Sequence, residues 1–221
     1  MSEKHYNEEY FKDKDDLPVH IYATLDDVIE KNNYVSILEI GCGTGKLLSA
    51  LHKNGRKVTG CDLSITAAKK ADALVADVKE LPYRSKSFDL LIGISLIEHL
   101  REEEAVLFLN EAKRLLKVRG ALFLVTPNFS SPMRVVKGKK WFGYSDPTHV
   151  KFYSPESLAY KLEDNGFNQI KKTFKLDVYP DFDWGLHLKF PKVINCFISK
   201  LLISSPLALF RDSFWIMGNK M

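Results

Sequence analysis

The chain has 221 residues, 45% of them hydrophobic and 27% charged, with a formal net charge of +4. That is apolar material for one substantial core, most simply a single domain, and the charge is too modest for a nucleic-acid tail. The three cysteines, Cys42, Cys61 and Cys196, are odd in number and widely spaced. They suit neither a disulfide framework nor a zinc site, so a reducing cytoplasm is expected and no metal site is.

The first 18 residues are charged and lack the apolar core of a signal segment, so export is not expected. Tyr6, Tyr10 and Phe11 stand there among acids and lysines. They read either as an amphipathic helix laid on the body or as a lid over a ligand pocket, within an N-terminal helical cover over residues 1–35. Leu17-Pro18 breaks this segment, and Ile21, Leu25, Val28 and Ile29 then recur at helical spacing. The apolar run Ile37 to Ile40 predicts a short buried strand. Gly41, Gly43 and Gly45 follow at alternate positions, and Leu47, Leu48 and Leu51 continue as a helix. A strand that turns through glycines into a helix N-terminus suits a nucleotide-like ligand, because the backbone can approach closely and the first-turn N–H groups point outward. A dinucleotide loop needs a further glycine where this chain has Lys46 or Leu48, which disfavours a nicotinamide cofactor.

A second strand, Arg56 to Asp62, ends in an acid at the spacing where a carboxylate meets a ribose. Its alternative is to cap the helix entered at Ser64 or Ile65. A third strand, Ala73 to Ala76, leads into Asp77, and a polar connection through Leu81-Pro82 leads to a fourth, Leu90 to Ile94. Asp89 reads as structural, at the start of that strand. Ser95 to Leu100 leaves the sheet. A helix through Leu107, Leu109, Ala112, Leu115 and Leu116 is predicted to end with Gly120 at its C′ position, before a fifth strand from Ala121 to Pro127.

Taken in order, E-x-G-x-G-x-G at Glu39–Gly45, Asp62, A-D-x-x-x-L-P at Ala76–Pro82, S-F-D at Ser87–Asp89 and S-x-x-E-H-L at Ser95–Leu100 resemble class I S-adenosylmethionine-dependent methyltransferases. The resemblance implies a Rossmann-like α/β fold, a doubly wound, seven-stranded, mostly parallel sheet with an antiparallel last strand and helices on both faces. It implies S-adenosylmethionine as cofactor and S-adenosylhomocysteine as product. The cofactor residues it implies are Glu39, Gly41, Cys42, Gly43, Gly45, Asp62, Leu63, Asp77, Val78 and Ser95. Asp77 would accept from the adenine amino group and the Val78 N–H would meet the ring. His99 would pack and position its loop.

Residues 128–153 form the expected acceptor side. Trp141-Phe142-Gly143, Asp146-Pro147-Thr148-His149 and the helix start Phe152 to Leu158 resemble a broad subgroup of small-molecule and glycan methyltransferases. Trp141, Tyr144 and His149 are expected to bind the acceptor, with His149 as base and Asp146 orienting it where the acceptor is a hydroxyl; the alternatives are that the aromatics only cover the sheet edge and that His149 only hydrogen-bonds its loop. Arg134, Lys137, Lys139 and Lys140 read as a solvated face, or as attraction for an anionic acceptor or lipid surface. Ser154 should cap a helix that Gly166 ends. Phe167 to Tyr179 reads as the sixth strand and Ser213 to Gly218 as the antiparallel seventh. Between them residues 180–212 read as an apolar helical segment, richest from Leu186 to Phe210. Asn195, Lys200 and Pro206 argue against a membrane span there, leaving a packed helix or a partner or membrane-contacting surface.

The expected whole is one methyltransferase domain over residues 1–221. It would act on a small molecule, by O-methylation of a glycan or lipid-linked intermediate. No nucleic-acid partner is expected, peripheral membrane contact stays open, and the oligomeric state is not legible. The rivals are a non-catalytic cofactor-binding protein, a nicotinamide-dependent oxidoreductase, and an RNA methyltransferase. The last lacks support because no N-P-P-Y-like run follows the fourth strand.

Overall fold

The computed structural model describes Tyr6, Tyr10, residues 19–173 and residues 211–221. The rest of the expected lid, the end of the sixth strand and the apolar segment Leu186 to Phe210 lie outside the described residues. Among the described residues seven strands are formed: β1 (Ile37–Ile40), β2 (Val58–Asp62), β3 (Leu74–Val75), β4 (Phe88–Ile94), β5 (Leu116–Pro127), β6 (Phe167–Thr173) and β7 (Ser213–Lys220). They make one sheet in the order β3-β2-β1-β4-β5-β7-β6. The pairs β2–β3, β1–β2, β1–β4 and β4–β5 are parallel, and β7 runs antiparallel to both neighbours. This is the expected doubly wound sheet with an antiparallel last strand.

The α-helices among the described residues are α1 (Val19–Asn32), α2 (Lys46–Lys53), α3 (Ile65–Ala71), α4 (Glu102–Leu115), α5 (Pro132–Lys137), α6 (Phe142–Ser145) and α7 (Pro155–Asp164). Successive strand residues point to opposite faces. Ile37, Leu90, Ile92, Phe123 and Met217 therefore join Leu25 and Ile29 of α1 and Leu47 and Leu51 of α2 in one core. Leu38, Ile40, Leu91, Leu122 and Ile216 join Phe108 and Ala112 of α4 and Leu158 and Leu162 of α7 in the other. Both faces of the central strands are covered, which is why they read as unbroken apolar runs.

One helix end differs from expectation. The C-cap of α4 is Leu116, already extended, and β5 begins there. Arg119, not Gly120, takes the left-handed conformation, at φ 67°. A Cβ on Gly120 would lie 3.0 Å from the Lys117 carbonyl oxygen and 3.1 Å from that of Asp89. The glycine permits a close approach inside the sheet; it does not end the helix.

Asp89 is structural, as read. Its Oδ2 accepts from the Val35 N–H (3.2 Å), the Ser36 N–H (2.9 Å) and the Ser36 hydroxyl (2.7 Å), while Oδ1 meets Lys117 Nζ at 2.9 Å. Burial pushes its carboxyl upward, but the Ser36, Lys117 and Val35 donors outweigh it and lower its pKa to about 2. A depressed folded-state pKa contributes stability that is present above the unfolded value of ~3.9. That contribution is lost as pH falls toward the folded value of about 2. Asp89→Ala should therefore cost about 1.5–3 kcal/mol at neutral pH. Urea melts should show the gap to wild type closing across that acidic window.

Candidate active site

Ligands of open α/β sheets bind beyond the C-terminal ends of strands whose connections diverge, and here those strands are β1 and β4. β1 runs straight into the glycine loop. Gly41, Gly43 and Gly45 all have positive φ, at 72°, 53° and 81°, a conformation a side chain opposes. The Gly41 and Cys42 N–H groups both donate to the Cys61 carbonyl (2.8 and 3.0 Å), fastening the loop to β2. The Gly43 N–H donates to Asp62 Oδ2 at 2.8 Å.

Asp62 does not cap α3. Ser64 is the N-cap, its hydroxyl accepting from the Ala67 N–H. The Asp62 carboxylate holds two backbone donors, Gly43 on one oxygen and Ser64 on the other (2.8 Å each). A carboxylate has about four lone-pair sites, and Asp62 lines the cavity beside the loop, so acceptor capacity remains for a ligand. Burial raises its carboxyl, against the pull of the Ser64, Gly43 and Leu63 N–H groups.

Two cavities open here. The first, about 100 Å³, is lined by Tyr6, Tyr10, Asp62, Leu63, Asp77 and Val78. The second, about 440 Å³, is lined by Glu39, Cys42, Ile94, Thr126, Phe142, Ser145, Asp146 and His149. Gly41, Gly43, Tyr10, Ser95 and His99 line both. Nine of the ten expected cofactor residues thus border one crevice. The exception is Gly45, which lines neither cavity because it starts α2 against Ala71.

Glu39 supplies a fit test for the cofactor. It is buried, and among the described residues its Oε2 has no hydrogen-bond partner. Burial first, and the charge of Asp62 second, hold its carboxyl well above the usual range. An orphaned acceptor facing a cavity asks for a ligand with donors or positive charge. S-adenosylmethionine has both, and the glycine cradle with acids at the ends of β2 and β3 matches the rest of it. Asp77 is partly committed, since its Oδ1 accepts from the Lys79 N–H (3.0 Å) and its Oδ2 lies 3.1 Å from Lys79 Nζ.

Residues 128–149 form one wall of the second cavity, through Phe142, Ser145, Asp146 and His149. Trp141 and Tyr144, expected to bind the acceptor, line neither cavity. Trp141 is fully buried, and its indole N–H donates to Asp212 Oδ1 at 3.0 Å. Its ring lies so close over Gly143 that a Cβ there would come within 2.1 Å of it. Tyr144 turns outward, its hydroxyl accepting from Arg134 Nη1 at 3.1 Å. Phe142, between them, faces the cavity and was missed. Arg134 and Lys137 are internal ties as well. Arg134 Nε donates to the Phe129 carbonyl and Lys137 pairs with Asp212.

Asp146 does not orient His149 by a direct hydrogen bond, because His149 Nε2 is 3.8 Å from Asp146 Oδ2. Asp146 instead accepts from the Thr148 N–H (2.9 Å), the Thr148 hydroxyl (2.6 Å) and the Tyr10 hydroxyl (3.1 Å). The Gly143 carbonyl orients His149, at 2.8 Å from Nδ1. A carbonyl only accepts, so Nδ1 carries a proton, and in the neutral ring Nε2 is the nitrogen with the lone pair. His99 packs, as read. Its Nδ1 meets the Thr148 carbonyl (3.2 Å) and hydroxyl (2.9 Å), joining the exit of β4 to the acceptor wall.

Residues 6–172 match the family described as Methyltransferase domain, and the chain belongs to it. With its fold, this makes the protein a class I S-adenosylmethionine-dependent methyltransferase. It is 28% identical over 168 residues to a ubiquinone biosynthesis O-methyltransferase of Pelagibacter ubique, spanning 64% of this chain and 69% of that one. The mitochondrial ubiquinone biosynthesis O-methyltransferase of Rattus norvegicus is 30% identical over 156 residues, 61% of this chain and 44% of that one. Among solved structures, an S-adenosylmethionine-dependent methyltransferase from Archaeoglobus fulgidus superposes with a TM-score of 0.65 at 25% identity, covering 90% of this chain and 93% of that one. Among the described residues no helix is long and apolar enough to cross a membrane.

Proposed function

We propose that the protein methylates a hydroxyl group of a small acceptor, a lipid-linked or glycan intermediate. The observation that carries this reading is a single crevice with two unlike walls. Glu39, the glycine loop and Asp62 stand on one wall, and Asp146 and His149 on the other. The names of the relatives quoted above support an oxygen acceptor. Exposed Val135 and Val136, close in sequence to Lys139 and Lys140, offer a mixed apolar and basic surface that suits a lipid tail with an anionic group.

When bound, S-adenosylmethionine supplies a methyl group on a sulfonium that is already activated. The protein's task is then to align and to exclude water, and alignment of this kind supplies ~7–11 kcal/mol. Glu39, Gly41, Gly43 and Asp62 would hold the cofactor. Tyr6 and Tyr10 line the first cavity; burial first of all raises both hydroxyls above their ordinary range, so they stay protonated there as neutral donors. His149 presents the lone pair of Nε2 to the acceptor side, where the hydroxyl's proton must leave.

The test is transfer of labelled methyl from S-adenosylmethionine to a panel of lipid-linked phenols and sugars, with the product characterised as an ether. Label on nitrogen, or none on any hydroxyl, would overturn the reading. His149→Ala should lower turnover by about 100-fold or more while cofactor affinity stays as in wild type. Undiminished turnover would remove His149 from the reaction.

A further inference from the structure

Side chains alternate along β7. Phe214 and Ile216 enter one core, while Trp215 and Met217 face the other, toward α1. On that face α1, β5 and β7 enclose a small pocket of about 10 Å³. Thr24, Phe123, Arg211, Ser213 and Trp215 are among the residues that line it. Ile21, Val125 and Ser213 line both this pocket and the second cavity, so the two adjoin. The ladder shows the same neighbourhood. Ser213 pairs with Pro127, which borders the second cavity, and Trp215 pairs with Val125 just below it.

Packing does not account for the polar groups gathered here. The Trp215 ring stacks on Phe123 at 5.2 Å and 25°, a contact a phenylalanine would make equally well. Its indole N–H is buried, and among the described residues it has no hydrogen-bond partner. A buried donor in that state requires an explanation. Arg211 brings a guanidinium to the same pocket. Burial lowers its pKa to about 10, so it still holds its proton at neutral pH. Its backbone is fixed by Asn128, which is fully buried at the end of β5. Asn128 Nδ2 donates to the Arg211 carbonyl at 3.1 Å, and the Asn128 N–H donates to that of Asp212 at 2.7 Å. Thr24 and Ser213 add hydroxyls. All four polar side chains can donate, and among the described residues that line the pocket none is acidic.

We propose that this pocket receives an oxyanion of the acceptor, one oxygen of a carboxylate or a phosphate ester, and so selects acidic acceptors. The volume has room for about one such atom. The rest of the acceptor then lies in the adjoining second cavity, with its hydroxyl toward Asp146 and His149. Charge attraction is stronger where water is excluded, and a guanidinium beside a second N–H matches the acceptor oxygens of such a group. The proposed function is needed only to identify the ligand as the acceptor. The anion site itself does not depend on it.

The three tryptophan indole N–H signals, followed by heteronuclear NMR, test the site, with that of Trp215 assigned through Trp215→Phe. The full chain, with and without S-adenosylhomocysteine, is titrated with benzoate, phenyl phosphate or neutral benzyl alcohol. Benzoate or phenyl phosphate should shift the Trp215 signal saturably, and benzyl alcohol should leave it in place. The tighter of the two anions names the group. Trp215→Phe keeps the stack and removes the N–H, and Arg211→Gln removes the charge. Each should weaken anion binding about tenfold or more by calorimetry, with an unchanged melting transition as the sign of a folded chain. A Trp215 signal unmoved by both anions, as a pocket holding only water would give, overturns the proposal. So does anion affinity unchanged in both folded variants. A chain that binds the anions yet methylates no hydroxyl would refute the proposed function and leave this site standing. One that methylates neutral hydroxyls and binds neither anion would do the reverse.

Discussion

Trp141→Ala should destabilise the protein by about 3–5 kcal/mol, a fall of roughly 6–20 °C in melting temperature for a chain of this size, and yet leave cofactor affinity intact. The indole is fully buried between Tyr144, at 5.0 Å ring to ring, and the backbone of Gly143. Its N–H anchors the acceptor wall to Asp212, just ahead of β7. Removing it opens a cavity and leaves one oxygen of Asp212 without that donor. Trp141→Phe keeps most of the packing and should cost only about 1–2 kcal/mol for the lost hydrogen bond. Phe142→Ala is the contrast. That ring is 40% exposed on the cavity wall, so its loss should lower turnover with little change in melting temperature. If Trp141→Ala melted like wild type while losing only turnover, the indole would belong to the acceptor surface after all.

Gly45→Ala should be the most damaging of the glycine substitutions in the loop for fold stability. At φ 81° an L-residue pays ~1–2 kcal/mol for the left-handed conformation. The new Cβ would also stand 2.8 Å from the Cβ of Ala71 and 2.9 Å from its Cα. The second of these neighbours is backbone, which cannot swing aside, and overpacking of this kind adds ~1–3 kcal/mol. Gly55 isolates the two effects, because it has φ 74° and a Cβ added there would meet nothing within 4 Å. Gly55→Ala should show the conformational cost alone in urea melts, and Gly45→Ala clearly more. Adding Ala71→Gly removes the side-chain part of the clash but leaves the backbone part, so it should restore Gly45→Ala only in part. Equal losses for Gly45→Ala and Gly55→Ala would mean that α2 and α3 yield freely at this point.

Much of this protein is legible in its sequence wherever the controlling physics is local. Unbroken apolar runs give strands covered on both faces. Glycines at alternate positions give a left-handed turn into a helix, and Ser154-Pro155 gives a capped start for α7, as found. Acids at the end of β2 and just past β3 border the same crevice because parallel strands deliver their C-terminal ends to one edge of the sheet. Local pattern does not say which way an aromatic turns in an irregular segment. Trp141 faces inward and Phe142 the cavity because Gly143 and Asp212 receive the indole, and Asp212 comes from the far end of the chain. Nor does it separate a glycine that ends a helix from one that lets strands approach, as at Gly120. The partners of Asp146 and the meeting of His99 and His149 were likewise decided by tertiary structure alone. Hydrogen bonds from Tyr10, Thr148 and Gly143 set those side chains, and residues remote in sequence meet only when the acceptor segment folds back over the end of β4.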